Sequence, residues 1–328
     1  MIKTNLNEKI EFLNNKLKKL NDFDTNKKDL AVVCCYFNPC HYASKLKNYK
    51  LFREGIEGVG VKILTVELAF GEDCFELEGF EDILFLRTGE DNVMWQKERL
   101  LNIGIRQLIH ENYEKIAWLD ADVVFENDNW ANYLSQELDK YPLCQVFEEI
   151  NFKKSENIEV SVKGCIKDLH ERRSLSNMRS VTGFGWAARA DILKKVMLFD
   201  FAILGGGDAL ISYASFFNHP HWRDYLSNLL VIKSMPWYLF QDYLEWAKKW
   251  GSLIKGRVGY VETKIKSLYH GEIKKRQYRL RDEILLKYAY NPRIDIMNGV
   301  NGIFEWNSDK LELHKEIKNY FYTRMEDD

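Results

Sequence analysis

The sequence predicts an α/β fold with a mainly parallel central sheet flanked by helices. Three observations lead to it. Short apolar runs recur at Leu30–Phe37, Val61–Leu68, Asp82–Arg87 and Lys115–Leu119. Stretches with helical spacing separate them, most clearly over 93–110, where Val93, Leu100, Leu101, Ile105 and Leu108 recur on one face. Asn38-Pro39 and the Gly58/Gly60 pair mark turns between them. Strands that alternate with helices pair in parallel through right-handed crossovers.

The elements follow in order. Residues 1–29 read as an amphipathic helix, because Leu6, Ile10, Leu13, Leu17 and Leu20 fall at alternating steps of four and three. Such a seam packs on its own domain or pairs chains through residues 6–20. Leu30-Ala-Val-Val-Cys-Cys-Tyr-Phe37 suits a buried parallel strand, followed by a helix near 41–55. Past residue 120 the alternation loosens, with strands expected at 143–147, 181–188 and 257–262. Residues 151–179 are rich in Lys, Glu, Ser and Arg with little periodicity, so a long surface loop that can close as a lid is expected there. A helix over 207–217 is entered through Gly205-Gly206-Gly207, and 225–253 is mostly helical with a break at Pro236. No Pro/Gly/Ser-rich linker divides the chain, so residues 30–328 are expected to form one domain.

Composition narrows the function. The chain has 328 residues, 46% of them hydrophobic, enough for a sizeable core, and a net charge of -2. Binding nucleic acid through its phosphates calls for a basic excess, and none is present. The six cysteines include no CxxC pair, and Cys34 and Cys35 sit in an apolar run, which favours free thiols in a reducing compartment. No stretch approaches the roughly 20 apolar residues of a spanning helix, and no secretory signal is visible, so a cytoplasmic protein without a transmembrane segment is expected.

The chemistry centres on Trp118-Leu119-Asp120-Ala121-Asp122-Val123-Val124-Phe125. An apolar strand that runs straight into two acids puts them at a strand's carboxyl end, where open α/β sheets bind ligands. Acids this close repel each other unless a cation lies between them, and Mg²⁺ or Mn²⁺ holding a pyrophosphate answers that need. A polar turn in which Asp caps the next element explains the same residues without a ligand. Tyr269-His270-Gly271 could add an imidazole nitrogen, which tilts preference toward Mn²⁺. Lys274, Lys275, Arg276, Arg279 and Arg281 then form a cationic cluster suited to a diphosphate, or else a solvated helix face. Asp208, after the three glycines, is either a helix N-cap or a general base.

Asp120-x-Asp122, the Gly-rich turn with Asp208, and His270-Gly271 followed by Arg276, Tyr278 and Arg281 occur in this order in GT-A glycosyltransferases. The set resembles most the soluble group of large DNA viruses and bacteria, over about residues 30–325. The resemblance implies a GT-A, Rossmann-like nucleotide-diphospho-sugar transferase fold. Residues 30–150 would form its nucleotide-binding half, and 151–328 the acceptor-binding half with C-terminal helices. It further implies that Asp120, Asp122 and His270 bind Mn²⁺ or Mg²⁺ and that Asp208 is the base of an inverting reaction. Here Asp208 stands alone where some inverting relatives carry several acids, so a retaining reaction stays open. By the same likeness Tyr36, Phe37, Asn38, Glu67, Lys97, Asn102, Ala121, Gly271, Lys274 and Arg276 would touch a nucleotide sugar, most simply a UDP-sugar. Thr182, Gly183, Phe184, Gly185, Trp186, Gly206 and Gly207 would approach the sugar or a glycan or glycoconjugate acceptor. Trp237, Tyr238, Trp246 and Trp250 are candidates for an acceptor wall, though the last two have core spacing. The rivals are a nucleotidyltransferase, disfavoured because the loop after the first strand reads Asn38-Pro39-Cys40-His41, and a non-catalytic sugar-binding module.

Overall fold

A computed structural model describes residues 27–155, 158–172, 180–223, 230–277 and 281–328. The heptad seam of residues 6–20, the stretch 173–179, and Tyr278 and Arg279 lie outside the described residues.

The fold class read from the sequence is the one observed. Strands β1 (Lys28–Phe37), β2 (Lys62–Phe70), β3 (Ile83–Thr88), β4 (Tyr113–Leu119), β6 (Leu143–Gln145), β9 (Gly185–Arg189) and β10 (Val258–Tyr260) make a seven-stranded sheet in the order β10-β6-β9-β4-β1-β2-β3. β1 pairs in parallel with β2 and β4, β2 with β3, and β6 with β10. β1 is apolar throughout because both its faces are covered. Ala31 and Val33 meet Leu100, Leu101 and Ile105 of helix α2 (Lys97–His110), while Val32 and Cys34 meet Tyr49, Phe52 and Ile56 of helix α1 (Ala43–Ile56). Gly104 lets α2 sit close to the sheet, since a Cβ there would fall 2.5 Å from Val33.

The strand order creates the crevice. After β1 the chain moves outward through β2 and β3, then returns to place β4 on the other side of β1. The β1/β4 boundary is thus a topological switch point, where loops diverge at the carboxyl ends and leave a cleft.

Two expectations change. The strand expected at 181–188 is β9, and it runs antiparallel to both β4 and β6. An apolar run specifies a buried strand but not its direction. The expected loop at 151–179 is largely ordered. β7 (Glu149–Ser155) and β8 (Ile158–Lys163) form a hairpin, joined by β5 (Val123–Phe125) and β11 (Lys264–Ser267) in a sheet of order β5-β11-β7-β8, and a helix follows over Cys165–Arg172. The hairpin was illegible because β8, which reads IEVSVK, is at most half-buried and so lacks an apolar face. β11 was missed because Ile265 is its one buried residue. Among the described residues, no helix is long and apolar enough to cross a membrane.

Candidate active site

A cleft of about 780 Å³ opens at the β1/β4 switch point. Tyr36 and Phe37 from the end of β1 line it, with Asp120, Ala121 and Asp122 from the end of β4. Thr182, Gly183 and Phe184 precede β9 on one side, and Phe152 and Lys153 of the β7–β8 hairpin contribute another wall. Phe184 takes a left-handed φ of 80°, costly for a bulky residue, and its carbonyl accepts the Asp120 N–H at 3.0 Å. Such a conformation persists where the surrounding contacts hold it, and this one faces the acid pair.

The two acids have different side-chain partners. Lys97, the first residue of α2, places its ammonium 2.5 Å from Asp120 Oδ1 and 2.8 Å from Asp208 Oδ2. Burial opposes a charge on Lys97, yet Asp120 and Asp208 overcome it and hold the ammonium well above its ordinary range. Burial pushes the Asp120 carboxyl up, Lys97 pulls it down, and Asp208 and Asp122 add to the rise. Asp208 is the second residue of the helix Gly207–Ala214, whose N-cap is Gly206, so the capping role is not the one it plays. Gly205 and Gly206 have φ of 92° and 93°, which glycine adopts without strain. Gly207 serves a different need: a Cβ there would lie 2.1 Å from Glu98 Oε1.

Asp122 has its own partners. His270 Nε2 lies 2.7 Å from Asp122 Oδ2 and 2.9 Å from an Arg276 nitrogen. Burial raises the Asp122 carboxyl, but His270, Arg276 and Lys45 outweigh it and hold it below the usual carboxylate range. Protonated at Nε2, the ring donates to Asp122. Unprotonated there, its single lone pair accepts from Arg276, or with Arg276 displaced would stand as a nitrogen donor beside the Asp122 oxygen. Asp122 Oδ1 is buried and has no hydrogen-bond partner among the described residues. These features fit a divalent cation. Asp120 is engaged by Lys97, and among the described residues no group of three or more His, Cys, Asp or Glu side chains is gathered.

The other expected residues divide. Arg276, Arg281 and Gly206 line the cleft. Gly183 leaves space in front of Asp208, as a Cβ there would stop 3.8 Å from Asp208 Oδ2. Glu67 lies outside the lining. It accepts the backbone N–H groups of Glu76 and Leu77 at 2.6 and 3.2 Å, and burial pushes its carboxyl up to about 7. Asn38 bonds to Glu76 and to the backbone of Tyr42, so it braces the rim, and Tyr36 donates to Glu76 at 2.6 Å. Asn102 is buried and clamps the backbone of Leu198 with both amide atoms. Gly185 packs on Leu119 and Val146, and Trp186 is buried and donates to Thr182 O. The cationic segment splits: Lys274 pairs with Glu272 in solvent and Lys275 with Asp328. Gly271 does not contact the cleft; its φ of 82° and the backbone of Met325 and Glu326 against it require glycine. None of the four aromatic wall candidates lines the cleft. Trp246 and Trp250 stack at 5.3 Å in the core, and Trp237 and Tyr238 are exposed.

Sequence reasoning missed Lys45, Glu98, Arg324 and Glu326, which also line the cleft. Glu98 had a signal, an acid beside Lys97 in the first turn of a helix. Arg324 and Glu326 had none. They pair with each other and lie beside Lys45, which stands 3.5 Å from Glu326. Asp327 anchors this segment by accepting the Ala43 and Ser44 N–H groups at the start of α1.

No family model matches the chain, and no curated protein matches its sequence. Solved structures give remote likenesses. A Desulfovibrio desulfuricans G20 protein assigned as a nucleotide-diphospho-sugar transferase is 9% identical, with 91% of this chain and 98% of that one covered, at a TM-score of 0.35. Glucosyl-3-phosphoglycerate synthase from Mycobacterium tuberculosis, solved with Mg²⁺ and uridine diphosphate, is 11% identical over 62% of this chain and 69% of that one, at 0.34. A glycosyltransferase involved in glycosylation of the major capsid of PBCV-1 is 12% identical over 89% and 100%, at 0.29. Likenesses this remote carry no functional argument.

Proposed function

We propose that the chain is a metal-dependent glycosyltransferase of GT-A type that moves a sugar from a UDP-sugar to a hydroxyl of a glycan or glycoconjugate acceptor, with inversion. The observation that carries this reading is the convergence of Asp120, Asp122, Asp208, His270, Lys97 and Arg276 in one cleft at the β1/β4 switch point. Tyr36 and Phe37 at the end of β1 suit the nucleoside. Arg276, Lys45 and Arg324 suit the diphosphate, because guanidinium and ammonium groups match its charge. Asp122 and His270 would hold the cation, which supplies Lewis-acid neutralisation of the diphosphate when bound. The imidazole favours Mn²⁺ over Mg²⁺.

In this reading Asp208 takes the proton from the acceptor hydroxyl as that oxygen bonds to the anomeric carbon. The bond from that carbon to the phosphate oxygen breaks, and its electron pair leaves with UDP. Lys97 orients the base by holding one Asp208 oxygen and leaving the other for the acceptor. Arg276 meets charge as it develops on the leaving group, the kind of preorganised electrostatics that contributes most to catalysis.

A panel of UDP-sugars incubated with Mn²⁺ and assayed for released UDP tests the proposal. UDP release abolished by EDTA and restored by Mn²⁺ is the expected result. Release of pyrophosphate from a nucleoside triphosphate and a sugar phosphate would assign nucleotidyl transfer instead. Tight UDP-sugar binding without turnover toward any acceptor or water would assign a binding module.

A further inference from the structure

The cleft contains one acid with no assigned task. Glu98 is 4% exposed, and it lines the cleft beside Asp208. No hydrogen bond or ion pair reaches its carboxyl from another of the described residues. Its own backbone N–H donates to the carboxyl, and an acid proton that borders a cleft finds its acceptor when a ligand arrives. The carboxyl lies against Gly207, where a Cβ would fall 2.1 Å from Glu98 Oε1 and displace the side chain. The groups that face it are Lys97 on its own helix, Asp120 after β4, Asp208 on the helix that follows the glycines, and Cys35 on β1. Burial pushes the Glu98 carboxyl up to about 8, with Lys97 opposing and Asp208 and Asp120 reinforcing the rise. Lys97 is already shared by two carboxylates, so a third negative charge there has no cation of its own.

We propose that Glu98 is a specificity-determining residue of this cleft, its carboxylic acid donating a hydrogen bond to a hydroxyl oxygen of the donor's sugar beside Asp208. This rests on the nucleotide-sugar reading above. A neutral acid is suited to the task because Asp208 and Asp120 supply acceptors nearby, and a protonated Glu98 adds beside them a donor that brings no charge. A sugar with a hydroxyl at that place gains a bond that UDP alone lacks. A sugar without it leaves the acid unpaired, which is how a buried polar group discriminates between ligands.

Calorimetric titration with UDP, and with the UDP-sugar that binds tightest in a panel, tests this across pH. Glu98→Leu is expected to weaken the UDP-sugar about tenfold while leaving UDP unchanged. In the wild type, the preference for UDP-sugar over UDP should fall as pH rises through about 8. In Glu98→Gln, whose amide donates at every pH, the preference should persist. A pH-independent preference in the wild type, or equal loss of UDP and UDP-sugar in Glu98→Leu, overturns the assignment. If Glu98→Leu fails to fold, the profiles of the wild type and Glu98→Gln still decide. A wild type that binds no UDP overturns the nucleotide reading itself, and this assignment with it. UDP binding in which Glu98 makes no difference overturns this assignment alone.

Discussion

Lys97 and Asp208, 111 residues apart in sequence, meet at 2.8 Å. The same ammonium reaches Asp120 at 2.5 Å, so one buried cation ties the end of β4 to the helix behind the glycine turn. Two acids whose mutual repulsion would open the cleft are held across it instead. Removal of that cation leaves both carboxylates without compensation. Lys97→Met should therefore lower stability by about 3 kcal/mol, in the range for breaking a buried pair from one side. Urea unfolding measures it, and a loss below the uncertainty of the midpoint would show that the acids simply take up protons.

Asp208→Asn separates chemistry from architecture. The amide keeps the shape, and the N-cap is Gly206, so the helix loses nothing at its end. Turnover should fall by about 10²-fold or more, as for the loss of a general base, with UDP affinity nearly intact. Single-turnover kinetics beside UDP titration read the two quantities separately. Product NMR gives an independent check, because retained anomeric configuration would exclude Asp208 as the acceptor's base.

Asp122→Asn should abolish Mn²⁺-dependent turnover. Repulsion between neighbouring acids would make this substitution stabilising, and the structure reverses that expectation. Asp122 is paired with His270 at 2.7 Å and lies under the influence of Arg276, so loss of its charge removes attraction rather than repulsion. Thermal unfolding without metal should show a lower Tm for the variant. Mn²⁺ should raise the Tm of the wild type and leave the variant unmoved.

Glu98 also makes stability depend on pH. Its folded carboxyl keeps a proton up to about pH 8, while the unfolded chain releases it near the ordinary value of 4.5. Between those values the folded state binds more protons, so this group's stabilising contribution is complete below the window and is lost as pH rises through it. Glu98→Gln does not titrate. The Tm difference, wild type minus variant, should therefore decline across that window and level off above it. A difference that stays constant with pH would mean that Glu98 ionises as freely in the folded protein as in the unfolded chain.

The sequence by itself determined the alternation of strands and helices, the acid pair at the end of β4, and the glycine turn before Asp208. Each is a local signal: β1 is apolar because both its faces are covered, and Gly205 and Gly206 occupy backbone conformations open to glycine. Only the tertiary structure decided which charges meet. Sequence spacing placed Lys97 and Asn102 on one helix with equal claims, yet Lys97 reaches into the cleft and Asn102 clamps the backbone at Leu198. Nothing local marks Arg324 and Glu326 as cleft residues, because the contacts of Asp327 with the start of α1 carry them there. The hairpin β7–β8 was equally hidden, since its pairing is made by backbone hydrogen bonds that an exposed, polar pattern does not announce. Periodicity records which face of an element is buried. The partners of a buried charge depend on contacts between distant segments, and these exist only once the chain has folded.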